Sequence, residues 1–196
     1  ASHPRPILID PTNNPSATDD FSKVREYGRK VAEGGISRRM SDELGVPLLV
    51  PMFPRPRSEP VDWHHEIQML DQETMQISSG KLERVDLQLV RMIEHAGEQL
   101  SNASVETTGT ILLNGFSASG NFVNRFTALH PDLVDSVTAG GINGTPILPR
   151  DEAKGRTINY PIGIADFQSV TGSTFQREAW REVRQLLYMG GDDEND

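Results

Sequence analysis

The chain has 196 residues, 36% of them hydrophobic, and its 28 acidic side chains outnumber its 19 basic ones to leave a formal net charge of −9. That length suits one domain with a real core and is short for two. The acidic balance argues against nucleic acid as a partner, because phosphate binding needs a basic footprint, and equally against an anionic membrane surface. The absence of cysteine excludes disulfides, thiolate metal sites and a cysteine nucleophile.

No apolar run approaches the roughly 20 residues that span a bilayer. The start, Ala1-Ser2-His3-Pro4, has no basic segment followed by an apolar one, so no signal peptide is visible. Its lack of an initial Met points to processing or trimming, and both ends are read as artificial.

One continuous strand–helix alternation runs through the chain, which predicts a mostly parallel sheet covered by helices. Pro6-Ile7-Leu8-Ile9 reads as a short buried strand, ended by the turn-rich run from Asp10 to Pro15. A helix is expected from Thr18, as its cap, to Gly34-Gly35, and a second from Arg38 to Leu44, closed by Gly45. Val46 to Val50 is continuous in hydrophobicity, the pattern of a strand buried on both faces.

From Pro51 to about Gly80 the chain is irregular, and a loop this long inside a domain is usually functional or partly disordered. Leu82 to Leu100 repeats its apolar positions in steps of three and four, the mark of an amphipathic helix. Thr110 to Asn114 follows as a strand, then an amphipathic helix from about Ser119 to Leu129, then a strand from Val134 to Ala139. Residues 140 to 170 are rich in Gly and Pro. A helix near Phe175 to Glu182 leads to a last strand, Gln185 to Met189, and an acidic tail.

The chemistry-bearing motif is Gly115-Phe116-Ser117-Ala118-Ser119-Gly120, set between a buried strand and a helix. A nucleophilic serine on such a turn occupies a strained backbone position and needs small residues two places before and two after. Gly115 and Ser119 meet that need. The hydroxyl then stands above the sheet beside a helix N-terminus, whose free N–H groups and dipole favour developing negative charge. The plainer alternative is a Gly/Ser-rich turn in which Ser117 only caps the helix.

Together with Asn124 to Pro131 and the strand ending Ala139-Gly140-Gly141, the run from Ile111 to Gly120 resembles the corresponding region of α/β-hydrolases. It is most similar to extracellular esterases and polyester-depolymerase-like members. The resemblance extends more weakly from Ile7 to Asp196. It implies the α/β-hydrolase fold, a serine nucleophile, a histidine base, an acid and an oxyanion hole, with no metal and no cofactor.

Carried over by position, Ser117 matches the nucleophile and the backbone N–H of Ala118 matches one oxyanion donor. The resemblance puts the second donor in the loop after the first strand, at Thr12 or Asn13, although the usual His-Gly start is missing there. It puts the acid after the strand ending Tyr188-Met189. Asp193 is the first choice, Asp196 the second and Asp192 the third; a solvated acidic tail or a Ca²⁺ ligand set is the alternative reading.

The family's histidine follows the acid, and its first strands precede Ile7. Residues 1–196 are therefore read as a single α/β-hydrolase domain, incomplete at both ends, with a missing segment or a second chain supplying the base. His130 is expected at the surface at a helix C-terminus, roughly 15 Å or more from Ser117 by helical rise. His95 is expected in solvent and His3 in a frayed terminus. The pair His64-His65, beside Trp63, is read as loop or solvent-exposed, with substrate contact or metal binding as alternatives. Phe53 to Arg57 is read as a rigid exit from its strand.

The expected activity is hydrolysis of a small or polymeric carboxylic ester through an acyl-enzyme at Ser117. The alternatives are a non-catalytic binding module on the same scaffold, or a peptidase or acyltransferase with the same core residues. The start without Met and the resemblance to secreted proteins lean towards export, without fixing a compartment.

Overall fold

A computed structural model of the chain describes residues 3–13, 16–58, 69–142 and 144–192. Among them five strands form one sheet: β1 (Arg5–Ile9), β2 (Leu48–Leu49), β3 (Thr107–Phe116), β4 (Val134–Gly140) and β7 (Arg184–Tyr188). They lie in the order β2-β1-β3-β4-β7, and every neighbouring pair is parallel. The register aligns Ile9 with Leu113 across β1 and β3, and Gly115 with Ala139 across β3 and β4.

Long helices connect these strands, as parallel pairing requires. They are α1 (Phe21–Gly34), α2 (Ile36–Leu44), α4 (Val85–Asn102) and α5 (Ala118–Leu129). Shorter helices are α3 (Gln72–Met75), α6 (Phe167–Thr171) and α7 (Arg177–Glu182), and Glu152–Ala153 (β5) pairs with Arg156–Thr157 (β6) in a small antiparallel ladder.

Alternation along the strands decides what each face buries. Ile7 and Ile9 of β1, Ile111 and Leu113 of β3, and Val137 of β4 enter one apolar cluster with Leu89 of α4 and Phe122 and Phe126 of α5. Leu8 lies on the other face, and it is buried outside that cluster, as are Val24 of α1 and Val50.

Several local expectations are corrected. Asp20, not Thr18, caps α1: its Oδ1 accepts the Ser22 N–H at 3.0 Å, while Thr18 pairs with Arg55 in an isolated antiparallel bridge. The strand expected over residues 46–50 is reduced to Leu48–Leu49, half-buried, because it is an edge strand paired only with β1. The helix expected from Leu82 starts at Val85, since Arg84 takes a left-handed backbone at φ 41°. Helix α5 is not amphipathic: all of its residues are buried, including Asn121, Asn124, Arg125 and Thr127.

These polar side chains are satisfied locally. Asn124 accepts the Ile147 N–H at 2.9 Å, Thr127 donates to the Val123 carbonyl at 2.7 Å, and Arg125 donates to the Met69 carbonyl.

His130 is likewise not a surface residue. Its Nε2 lies 2.9 Å from Oδ2 of Asp86, and its ring centroid lies 4.8 Å from that of Phe126. Asp86 is fully buried at the start of α4 and also accepts two hydrogen bonds from Arg84, at 2.9 and 2.8 Å. Burial alone would raise the Asp86 pKa; the Arg84 and His130 hydrogen bonds and charges outweigh it and hold the carboxyl at about 2.

Because the folded value lies below the ordinary 3.8, this carboxylate stabilises the fold above pH 3.8, and its contribution is lost as pH falls towards 2. Asp86→Asn is expected to cost about 2 kcal/mol at pH 7. The difference from the parent chain should shrink below pH 3.8, which urea denaturation at several pH values reads directly.

Candidate active site

The strand order reverses direction between β1 and β3: the chain leaves β1 towards β2 and leaves β3 towards β4. In open parallel sheets the crevice above such a switch, at the strands' C-terminal ends, is where ligands bind. The loop after β1 and the turn after β3 meet there. A cavity of about 760 Å³ opens at the other end of the sheet, lined by Arg5, Arg38, Asp42 and Glu106 among others; it is remote from this crevice.

The turn itself is a single residue. Ser117 separates the last residue of β3, Phe116, from the first of α5, Ala118, and has φ 61° and ψ −127°. A side chain with a Cβ is strained by about 1–3 kcal/mol in such a region and stays there only where its surroundings over-determine it.

They do so here. The Ser117 N–H donates to the Gly140 carbonyl at 2.9 Å, and the Asn121 N–H donates to the Ser117 carbonyl at 3.0 Å. The Ser119 hydroxyl accepts from the Phe116 N–H and is also within 2.9 Å of the Phe116 carbonyl. Ser117 is exposed, whereas Ala118, Ser119 and Gly120 are buried.

Close packing explains the small neighbours. A Cβ on Gly115 would lie 2.3 Å from the Ser119 carbonyl oxygen, and one on Gly120 would lie 2.5 Å from that of Gly140. Backbone cannot yield as a side chain does, so these two positions allow α5 to start directly on top of the sheet.

Of the two residues expected to offer a second oxyanion amide, Thr12 and Asn13, both follow β1 and both are half-buried. Asn13 reaches the turn through its side chain. Its Oδ1 accepts the Ser119 N–H at 2.7 Å, and its Nδ2 donates to the Phe116 carbonyl at 2.5 Å. The carbonyls of Thr12 and Asn13 both accept from the guanidinium of Arg55, which is only 2% exposed. Burial lowers the Arg55 pKa to about 10, still well above neutrality. The segment read as a rigid strand exit therefore carries a buried cation beneath the β1 loop.

Asp10 directly follows β1 in the same crevice. Burial pushes its pKa up to about 6, partly offset by a hydrogen bond with the Asn114 side chain. Around the turn the surface is apolar: Phe116 is 56% exposed, and its ring centroid lies 6.2 Å from that of Tyr188.

The predicted acids Asp193 and Asp196 lie outside the described residues, as do Trp63, His64 and His65; Asp192 is described and exposed. His95 is exposed on α4, 3.9 Å from Glu98. Among the described residues there is no group of three or more His, Asp or Glu placed to hold a metal ion, and no helix is long and apolar enough to cross a membrane.

No family model and no curated protein matches the chain. Solved structures do. The LpqC poly(3-hydroxybutyrate) depolymerase of Bordetella parapertussis superposes on 97% of the chain with a TM-score of 0.53 at 15% identity. The fold is that of the α/β-hydrolases. An S-formylglutathione hydrolase of Agrobacterium tumefaciens matches 98% of the chain at TM-score 0.50 and 16% identity, and native pOPH matches 99% at 0.51 and 13%. The chain spans 56%, 67% and 60% of the length of these α/β-hydrolase-fold neighbours, respectively.

Asp10 has an acid–base consequence. Its folded pKa, about 6, lies above the ordinary 3.8, so the unfolded chain loses this proton first as pH rises. Stability is thus undiminished below pH 3.8, falls between 3.8 and about 6, and stays reduced above that. Asp10→Asn is expected to add about 1–3 kcal/mol at pH 8 and nothing at pH 3. Thermal unfolding across that range checks it; a gain of equal size at both pH values would show that ionisation is not the cause.

Proposed function

We propose that the chain carries the nucleophile and oxyanion side of a serine hydrolase acting on carboxylic esters. The observation that carries this reading is the exposed Ser117 at φ 61° on a one-residue turn between β3 and α5. Its hydroxyl oxygen attacks the ester carbonyl carbon and gives its proton to a base. The resulting oxyanion is held by the Ala118 N–H, at the positive end of α5, and by an amide of the Thr12–Asn13 loop. The tetrahedral species expels the alcohol, which takes up the proton, and water then releases the acyl group from Ser117.

The base is a histidine brought by a further segment or a second chain. In support of this, His130 is engaged by Asp86, and β7 with the residue after it presents Leu186, Leu187, Tyr188 and Met189 to solvent beside the crevice. Asp193, beyond the end of β7, is the acid that orients that histidine. The whole is read as one α/β-hydrolase domain. Its substrate is a small or polymeric ester; a poly(3-hydroxybutyrate) depolymerase stands among its structural neighbours.

A second reading, a binding module without turnover, is favoured by the engagement of His130 elsewhere. A serine without its base is a weak nucleophile, so a fluorophosphonate probe should label the chain slowly, and added imidazole should speed labelling about tenfold or more. Peptide mapping should place the label on Ser117, and Ser117→Ala should abolish it. Robust labelling of Ser117→Ala removes the nucleophile assignment; no labelling of the parent chain at any imidazole concentration supports the binding module.

A further inference from the structure

The geometry points to Asn13 as a positioning residue for that reaction, acting through its side-chain carboxamide and anchored from below by Arg55. The inference rests on the reading of Ser117 as the nucleophile and names how its oxyanion side is aligned.

The carboxamide has two ends, and each is used on a different side of Ser117. The acceptor, Oδ1, takes the N–H of Ser119, and the donor, Nδ2, gives a hydrogen bond to the carbonyl of Phe116. The partners fix the orientation of the amide, because an N–H can only donate and a carbonyl can only accept. The side chain thus bridges strand end and helix start across the strained residue, from a loop more than a hundred positions earlier in the chain.

Two consequences follow for an anion at this turn. First, the N-terminal amides of a helix all attract negative charge. Asn13 withdraws the Ser119 amide from that role, which leaves the Ala118 amide as the donor next to the serine. Second, the tie sets the spacing between the β1 loop and the start of α5, the two sources of the oxyanion donors. An error of about 1 Å in such spacing can cost about a hundredfold in rate.

Arg55 prevents the loop from yielding. Its guanidinium donates to the carbonyls of Thr12 and Asn13, and its own carbonyl accepts the Thr18 N–H at 2.7 Å. A planar fork of donors suits two neighbouring carbonyls where a lysine ammonium does not. The loop is held by its backbone from one side and by the Asn13 side chain from the other.

The test uses the chain itself, a fluorophosphonate probe and a fixed concentration of imidazole. Asn13→Ala removes both hydrogen bonds and should lower the labelling rate about ten- to hundredfold, with the half-saturating probe concentration and the melting temperature little changed. Asn13→Asp keeps the acceptor and sets a second oxygen against the Phe116 carbonyl. When protonated, its carboxyl again offers one donor and one acceptor. The rate of Asn13→Asp relative to the parent should therefore be low at pH 8 and recover towards pH 5.

Parent-like rates in both variants would overturn the positioning role while leaving Ser117 as the nucleophile. Losses that merely track a fall in melting temperature, with no return at low pH, would also overturn it. A parent chain that labels no faster than Ser117→Ala overturns the nucleophile reading and this inference with it.

Discussion

A helix that begins on top of the strand it has just left has one residue in which to turn. Ser117 is that residue, and its left-handed backbone is the constraint from which the rest of the site follows. The turn closes only if α5 can touch the sheet, which is why Cβ atoms are missing at Gly115 and Gly120, where they would collide with backbone carbonyls. The strain is small beside what α5 contributes by burial. Phe122, Val123 and Phe126 are wholly removed from solvent, and each is worth roughly 1.5–3 kcal/mol. A well-packed helix forces the serine outward.

The same helix is pinned at both ends by residues distant in sequence. At its start, Asn13 ties the first turn to the β1 loop. At its end, His130 meets Asp86, which Arg84 holds in turn. Two of the buried charges in this frame, Asp86 and Arg55, are handled differently. Asp86 has two basic partners and is driven further into its charged form. Arg55 is met by carbonyl dipoles, and burial lowers its pKa while leaving it charged at neutrality. Those carbonyls belong to Thr12 and Asn13, so the buried guanidinium fixes the backbone of the loop that is proposed to hold an oxyanion.

Much of this frame is written locally in the chain, and the rest is not. The apolar runs at Ile7 and Ile111, the small residues around Ser117 and the left-handed cap at Gly45 are short-range signals, and the structure has strands, turn and cap where they stand. Interactions between distant positions leave no such mark. Arg55 lies in a proline-rich stretch that reads as a stiff exit, and nothing near it in sequence announces that two carbonyls over forty residues earlier will occupy its guanidinium. His130 ends a helix, which suggests solvent, yet Asp86 waits for it on another helix. Helix α5 reads as amphipathic because Asn124 and Arg125 look like a wet face, whereas other segments fold over them and take their hydrogen bonds. At Asn13 the resemblance points to a backbone amide, whereas what the structure shows is a side chain hydrogen-bonded to the Ser119 N–H and the Phe116 carbonyl, a contact across more than a hundred positions that no local pattern announces.

One strand departs from the pattern of its own residues. The run Gln185-Leu186-Leu187-Tyr188-Met189 is continuous in hydrophobicity, as strands covered on both faces are, yet four of these side chains are exposed. Among the described residues β7 is an edge strand, and an apolar edge of this kind invites pairing with further polypeptide. Tyr188, near the C-terminal end of that edge, lies against Phe116, the residue immediately before Ser117. The exposed apolar edge and the serine proposed as nucleophile thus occupy the same end of the sheet. Polypeptide laid along β7 would emerge beside the hydroxyl, so the proposed delivery of a histidine from outside these residues and the burial of the apolar edge can be one and the same event.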